Sequence, residues 1–345
     1  MEVAPSSWGP PFFSPLDNLM ATDSPRFSIV VPLVGDVNLF EQTLASLLRD
    51  LSSVTEVILV HDGTYEDPYS MGSEVTIIDA QSRRFASMLN QAVAAATAEL
   101  IAVVRPGVEL PENWQSDIGP GFADEQVASV VPLIVPLSDP SEIVAAGLRT
   151  NYGFQRILEG DGDKTADRVF GRLRPIGPTQ WAAFYRRSTL ELAGNFDTTV
   201  DDQYLDLDIA LALKSLGYRS HFAAQCVATI SRPALITKHA DQPHGDSAQR
   251  AIVRHGRGDS PLGRGLFSFA KEVMSALLQP TLFFQAMGRI GAFGTNANDQ
   301  KFAKRIERIN RMKSSIEKSG LKIHASDLAA EVKLETQRAA LKRAA

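Results

Sequence analysis

Two short stretches place ligand-holding residues directly after apolar strands. Phe27-Ser28-Ile29-Val30-Val31 stops at Pro32 and continues through Val34 and Gly35 to Asp36. Val57-Ile58-Leu59-Val60 breaks into His61-Asp62-Gly63-Thr64. Between them Leu39, Leu44, Leu47 and Leu48 recur on one helical face. Two buried strands joined by an amphipathic helix make a βαβ unit with parallel strands. Open parallel sheets bind ligands beyond the carboxyl ends of their strands. The candidate site therefore begins at residues 32–36 and 61–64. Asp62 can accept hydrogen bonds from a ligand there, or close the turn with Gly63. His61 can stack on a ligand or stay a neutral structural histidine.

The elements that must carry these residues follow in order. Residues 75–78 read as a third strand, 85–97 as an Ala-rich helix, and 100–104 as a fourth strand running into Arg105-Pro106-Gly107. An apolar run at 127–136, a strand at 181–185, helices at 188–193 and 206–216, and a strand over 218–230 complete the core. This alternation predicts an α/β fold with a mostly parallel sheet flanked by helices. Residues 153–179, rich in Gly, Asp and Arg, read as a loop lining a cleft. Residues 231–263 are irregular; Arg232, Lys238, Arg250, Arg254 and Arg257, with Arg264 just beyond, make the region basic. Everything from 266 onward reads as helix. The expected organisation is a leader at 1–25, an α/β domain at 26–257 and a helical extension at 258–345, with no internal repeat.

The chain of 345 residues is 44% hydrophobic, enough for a large core. A net charge of −5 gives no sign of a nucleic-acid partner. One cysteine, Cys226, cannot form an internal disulfide, fits a reducing compartment and reads as a small buried residue. The first 15 residues lack a basic stretch and are broken by prolines, unlike a signal peptide. Residues 266–293 carry Lys271, Glu272, Gln279, Pro280, Gln285 and Arg289, too polar for a bilayer core.

These pieces, in their order and spacing over about residues 27–230, resemble a family 2 glycosyltransferase of the GT-A fold. Such proteins open with a strand, a Pro-x-x-Asn-like turn, a Leu-rich helix and a strand ending in Asp-Asp-Gly-Ser. Here Pro32 and Asp62-Gly63-Thr64 match, with Gly35 in place of Asn and His61 in place of the first Asp. Ala86-Ser87-Met88-Leu89-Asn90 resembles the small-residue helix carrying an Asn, preceded by Arg84 where the family has Gly. The segment WAAFYRR at 181–187 resembles the strand with a paired-Arg turn, and Gly194-Asn195-Phe196-Asp197 the Gly-Gly-Phe-Asp element under the acceptor site. Tyr204-Leu205-Asp206-Leu207-Asp208-Ile209 resembles the Glu-Asp-x-Asp-Leu segment, and Ser215-Leu216-Gly217-Tyr218-Arg219 the turn after it.

The resemblance implies a cytoplasmic, hexosyltransferase-like enzyme of polysaccharide or cell-envelope synthesis. It would move a sugar, with inversion, from a UDP- or GDP-linked donor to a glycan or lipid-linked acceptor. Asp206 would be the base for the acceptor hydroxyl, although an Asp at a helix start caps free N–H groups equally well. Asp208 reads as helix surface or support. Asp62 would bond the nucleobase. Pro32, Val34, Arg84, Arg105 and Arg187 complete the implied nucleotide-sugar set, with solvation as the plainer role for Arg84 and Arg187. Trp181 reads as core.

Members of that family usually hold Mg²⁺ or Mn²⁺ with Asp-x-Asp at the end of the fourth strand. In the matching stretch, 103–110, both acidic positions are lost, to Arg105 and Gly107, and no His falls at 229–231 for the late ligand. The sequence therefore implies no conventional metal site. Three explanations stay open. Arg105 could replace the metal through bidentate phosphate contacts, with the basic loop 232–264 closing over it. The site could have decayed into a nucleotide- or glycan-binding scaffold. Glu109 or Asp79 could supply a ligand through an altered loop. A dinucleotide oxidoreductase is disfavoured because no Gly-x-Gly-x-x-Gly follows the first strand.

The tail adds a further expectation. Phe302, Ile306, Ile309 and Ile316 recur at helical spacing among Lys301, Lys304, Arg305, Arg308, Arg311 and Lys313. This basic amphipathic helix could lie on an anionic membrane, pair with a second copy, or pack on its own domain. Residues 327–345 read as a frayed Ala-rich helix. His239 and His244 near Asp241 and Asp246 match no standard metal set and read as solvated.

Overall fold

The first strand, β1 (Phe27–Pro32), is buried at every position, as a strand covered on both faces must be. Its side chains alternate between two cores. Val30 joins Ile58 and Ile101 on one face, while Ile29 and Val31 join Val57 and Ala102 on the other. The computed structural model describes residues 27–49, 55–67, 70–151, 153–165, 170, 173–231, 242–255, 270, 274, 287, 297–318 and 324–344. The leader, loop residues 232–241 and most of 266–293 lie outside these, as do His239 and Asp241.

The remaining strands are β2 (Thr55–His61), β3 (Thr76–Asp79), β4 (Leu100–Val104), β5 (Val108–Glu109), β6 (Val127–Pro136), β7 (Leu148–Thr150), β8 (Arg156–Leu158), β9 (Ala182–Arg186) and β10 (Arg219–Ile230). Eight of them form one sheet in the order β3-β2-β1-β4-β9-β6-β10-β5, and β7 and β8 pair separately. β1, β2, β3 and β4 run parallel, as do β6 and β10. β9 runs against both β4 and β6, so the parallel strands on its two sides point the same way. The carboxyl ends of β1, β2, β3, β4, β6 and β10 therefore share one end of the sheet with the start of β9. The expected mixed α/β architecture holds. The sequence reading did not register β5 or the β7–β8 pair, which are too short to show a periodicity.

Described helices are α1 (Val37–Arg49), α2 (Phe85–Ala95), α3 (Trp114–Ile118), α4 (Arg187–Ala193), α5 (Leu205–Ser215), α6 (Gln242–His255), α7 (Ala297–Lys318) and α8 (Ala325–Ala344). α1 and α3 cover one face through Phe40, Leu44, Leu47, Trp114 and Ile118. α2, α4 and α5 cover the other, with α6, α7 and α8 closing the same layer through Ile252, Ile306, Ile309, Leu328 and Val332. The apolar stripe of α7 thus packs on its own domain, the third of the three expected options. The first half of α8 is packed rather than frayed, with Leu328 and Val332 buried. Cys226 is buried and free, and Trp181 is core. Among the described residues no helix is long and apolar enough to cross a membrane.

Candidate functional site

Everything at the shared carboxyl end hangs on the turn after β4. The Arg105 N–H donates to the Trp181 carbonyl at 2.9 Å, and the Arg105 carbonyl accepts from Val108 N–H at 3.1 Å. Gly107 takes φ +84°, a left-handed conformation that glycine adopts without cost. Its N–H donates to the Thr43 hydroxyl at 2.9 Å, and that hydroxyl donates to the Val108 carbonyl at 3.0 Å. α1 thereby fixes the turn, and the turn aims Arg105 into the pole.

Arg105 is part-buried. Its guanidinium sits over the Phe85 ring, 4.8 Å from the centroid. Among the described residues it has no hydrogen-bond partner and no carboxylate at ion-pair distance. Burial pulls its pKa down to about 10; the charges of Asp202 and Asp206 oppose this and Arg156 adds to it. A guanidinium presents five N–H donors in a planar fork, and here no acceptor among the described residues meets them.

Asp206 opens α5 and is 2% exposed. Arg156, on β8, grips it with Nε to Oδ1 at 2.8 Å and Nη2 to Oδ2 at 2.6 Å. The N–H groups of Gln180 and Leu207 donate to the same carboxylate at 3.1 and 2.8 Å. Asp206 therefore lies beside Arg105 in the expected place but is an ion-pair anchor. Four donors occupy its two oxygens. A small cavity beside it is walled by Phe85, Leu89, Tyr185, Phe196 and Leu205. Burial, with the Asp206 charge adding, pushes the Tyr185 hydroxyl pKa up.

The β2 end is organised by its own turn. Asp62 Oδ1 accepts from the Thr64 hydroxyl at 2.6 Å and Oδ2 from Arg83 Nε at 2.9 Å. The Thr64 hydroxyl leads in holding the Asp62 carboxyl below its usual pKa, Arg83 adding to it. His61 Nδ1 accepts the Gly63 N–H at 3.1 Å, so His61 is the structural histidine. Pro32 and Val34 line the adjacent β1 end, Pro32 buried and Val34 packed against the core. Arg84 precedes α2 and donates to the Thr198 carbonyl at 2.8 Å. The Phe85 N–H and the charges of Arg105 and Arg84 act on the Asp202 carboxylate.

Arg187 lies at the opposite end of the sheet. β9 is antiparallel to β4, pairing Leu100 with Arg186, so the end of β9 lies at the amino ends of its neighbours. There Arg187 Nη1 donates to the Ala96 carbonyl at 3.0 Å, and Arg186 pairs with Glu99 and donates to the Phe122 carbonyl. A wide groove also opens at that far end, lined by Phe170, Arg174, Lys214, Tyr218 and His221, and holds none of the candidate residues.

Behind the site, α6 is locked to α5. Arg254 spans Asp208, Asp197 and Asp299 at 2.8, 2.8 and 3.1 Å, with the Phe302 ring 3.9 Å away. Asp208 is thus a buried partner of Arg254 and His255. Arg250 pairs with Asp299 at 3.1 Å. Arg250 and Arg254, expected in a loop closing on phosphate, are helical and engaged in packing. Asn90 exchanges two hydrogen bonds with the Phe196 backbone, at 2.7 and 2.9 Å, tying α2 to the turn after α4.

A divalent cation does not fit this donor set. Arg105 and Gly107 offer no side-chain oxygen, Asp206 is consumed by Arg156, and Asp79 accepts the Gln81 N–H at 2.9 Å. Glu109 sits in β5 opposite Thr229, and no group of three His, Cys, Asp or Glu among the described residues could hold a metal. Arg156 and Asp202 are the site residues that the sequence did not single out. The only signals were the Arg content of 153–179 and a second acid, Asp201, beside Asp202.

No protein-family model matches the chain, and no curated protein matches it in sequence. Among solved structures it is similar to GalNAc-T7 with UDP, GalNAc and Mn²⁺, with a TM-score of 0.57, 13% identity, and coverage of 82% of this chain and 54% of that one. The chain thus spans about half the length of that protein. It also aligns with the mannosyltransferase PcManGT from Pyrobaculum calidifontis in complex with GDP-Man and Mn²⁺, with a TM-score of 0.45, 16% identity, and coverage of 92% and 81%. The chain has the GT-A glycosyltransferase fold.

Proposed function

We propose that the chain moves a sugar from a nucleoside-diphosphate donor to a glycan or lipid-linked acceptor, with inversion. One observation carries this reading. Arg105, a part-buried guanidinium with no acceptor among the described residues, stands at the β4 end, where the resemblance to family 2 glycosyltransferases would put a metal cation. A fixed guanidinium can bind two phosphate oxygens at once and stabilise the charge that develops on the leaving diphosphate. Asp62, Pro32 and Val34 would line the nucleoside end. Arg84, at the α2 start, would add to the anion-binding face.

The test is calorimetric titration of the purified protein with UDP and GDP, with and without Mn²⁺. Binding that is indifferent to Mn²⁺ and lost in Arg105→Ala supports the reading. Binding that needs Mn²⁺, or survives Arg105→Ala, removes Arg105 from its role.

A second reading is favoured by one contact. Arg156 silences the carboxylate that the resemblance assigns to proton transfer. A non-catalytic nucleotide- or glycan-binding scaffold would need no such base. Nucleotide binding without release of sugar from any UDP- or GDP-hexose would select this alternative.

A further inference from the structure

Four donors already hold Asp206, so a carboxylate with open lone pairs is better placed to meet an acceptor hydroxyl. A base has to reach the attacking oxygen, which must lie near the sugar C1 and hence near the diphosphate. Asp202 meets that requirement. It stands four residues before Asp206, in a short 3₁₀ turn leading into α5, and is exposed to solvent. Asp202 and Arg105 meet at Phe85: the Phe85 N–H and the Arg105 charge both act on the Asp202 carboxylate, while the Phe85 ring lies 4.8 Å from the Arg105 guanidinium. Among the described residues no side chain is hydrogen-bonded to this carboxylate, which leaves lone pairs open for an acceptor. Asp201 beside it is committed to the Gln203 N–H at 2.9 Å.

We propose that Asp202, rather than Asp206, is the catalytic residue that takes the proton from the attacking hydroxyl, and that Asp206 is a positioning residue that holds Arg156. This rests on the reading of Arg105 as the diphosphate cation. In the step, the acceptor oxygen forms a bond to C1 and the bond from C1 to the β-phosphate oxygen breaks. Its electron pair leaves with the nucleoside diphosphate beside Arg105, and the acceptor proton passes to an Asp202 oxygen. The tendency of Asp202 agrees with this role. Desolvation raises its pKa; the Phe85 N–H opposes the shift, Asp201 adds to it, and Arg105 and Arg84 oppose it. A raised pKa makes a carboxylate a stronger base.

The experiment compares wild type and Asp202→Asn as full chains. Asn keeps an acceptor for the Phe85 N–H. UDP and GDP binding is measured by calorimetry. Turnover is followed as nucleoside diphosphate released from UDP- and GDP-hexoses, with water or azide as acceptor. The expected result is that Asp202→Asn binds nucleotide within about twofold of wild type. Its turnover with water should fall about 10²- to 10⁴-fold. Azide, which has no proton to lose, should restore much of the lost rate, a rescue that a structural defect would not show. Undiminished turnover in Asp202→Asn, or a loss that azide does not rescue, overturns the proposal. Nucleotide binding without turnover in the wild type overturns it while leaving the binding site standing. No nucleotide binding at all overturns the reading of Arg105 beneath it.

Discussion

Arg156 meets Asp206 edge-on, with Nε 2.8 Å from Oδ1 and Nη2 2.6 Å from Oδ2. The side chains are 14% and 1% exposed, so the pair sits away from solvent. Removing one member of such a pair strands the other charge, at a cost of about 3–5 kcal/mol. Arg156→Ala should lose about that much unfolding free energy. Arg156→Met combined with Asp206→Leu should recover most of it. Urea unfolding of Arg156→Met, Asp206→Leu and the double variant checks this, and a double variant as weak as the sum of the two single changes would show the side chains to be uncoupled.

Acid should act through Asp208. Burial alone would raise its pKa, but Arg254 and His255 outweigh burial and hold it down to about 2. A folded pKa below the unfolded value stabilises the native state above about pH 4, and this contribution is lost as pH falls toward 2. Wild type should therefore lose about 2 kcal/mol from this group between pH 4 and pH 2. Asp208→Asn should show a shallower decline in that window. Urea midpoints at pH 4, 3 and 2 measure the difference; parallel declines would mean that Asp208 is not the responsible group.

Gly177 carries a packing constraint. An added Cβ would lie 2.4 Å from the Ala210 Cβ on α5. Gly177→Ala should cost about 1–3 kcal/mol by forcing α5 away. Adding Ala210→Gly should restore part of the loss, because it removes the atom in the way. Thermal midpoints of the two variants decide it, and an unchanged midpoint in Gly177→Ala would show that α5 is free to shift.

The apolar side of α7 is committed to the core. Ile309 is fully buried and Ile306 is 4% exposed, whereas Lys304 faces outward. Ile309→Asp should destabilise by about 3 kcal/mol or more, combining a lost apolar side chain with a buried carboxylate. Lys304→Glu should stay within about 0.5 kcal/mol of wild type. Equal stability of the two variants in urea would mean that α7 does not pack as described.

The strands were legible because burial on both faces writes continuous apolar runs, as in Val57-Ile58-Leu59-Val60, and turns interrupt them sharply. The place of Arg105 was legible too, since it follows directly from a strand end. The partner of Asp206 was not: Arg156 lies 50 residues away, on a strand of three residues. The far-end position of Arg187 was not legible, for a different reason. A strand end marks a site only if the direction of the strand is known, and no local pattern shows that β9 runs against its neighbours. The tail helices were visible as helices. Whether their apolar stripe met lipid, a second copy or this domain depended on a layer that forms only after folding.

The reversed direction of β9 gives the chain an interchangeable cassette. β6 finishes and β9 begins at the same end of the sheet, so residues 137–181 leave the scaffold and return to it at neighbouring points. The sheet does not register the length of that excursion. Arg156 travels on it, as does Gln180, and both reach back to the one carboxylate at the head of α5. A segment exchanged between those two strands would rewrite one wall of the site, provided it kept the Gly177 contact with α5 and a cation for Asp206. A library of variants meant to change what the protein accepts should begin there.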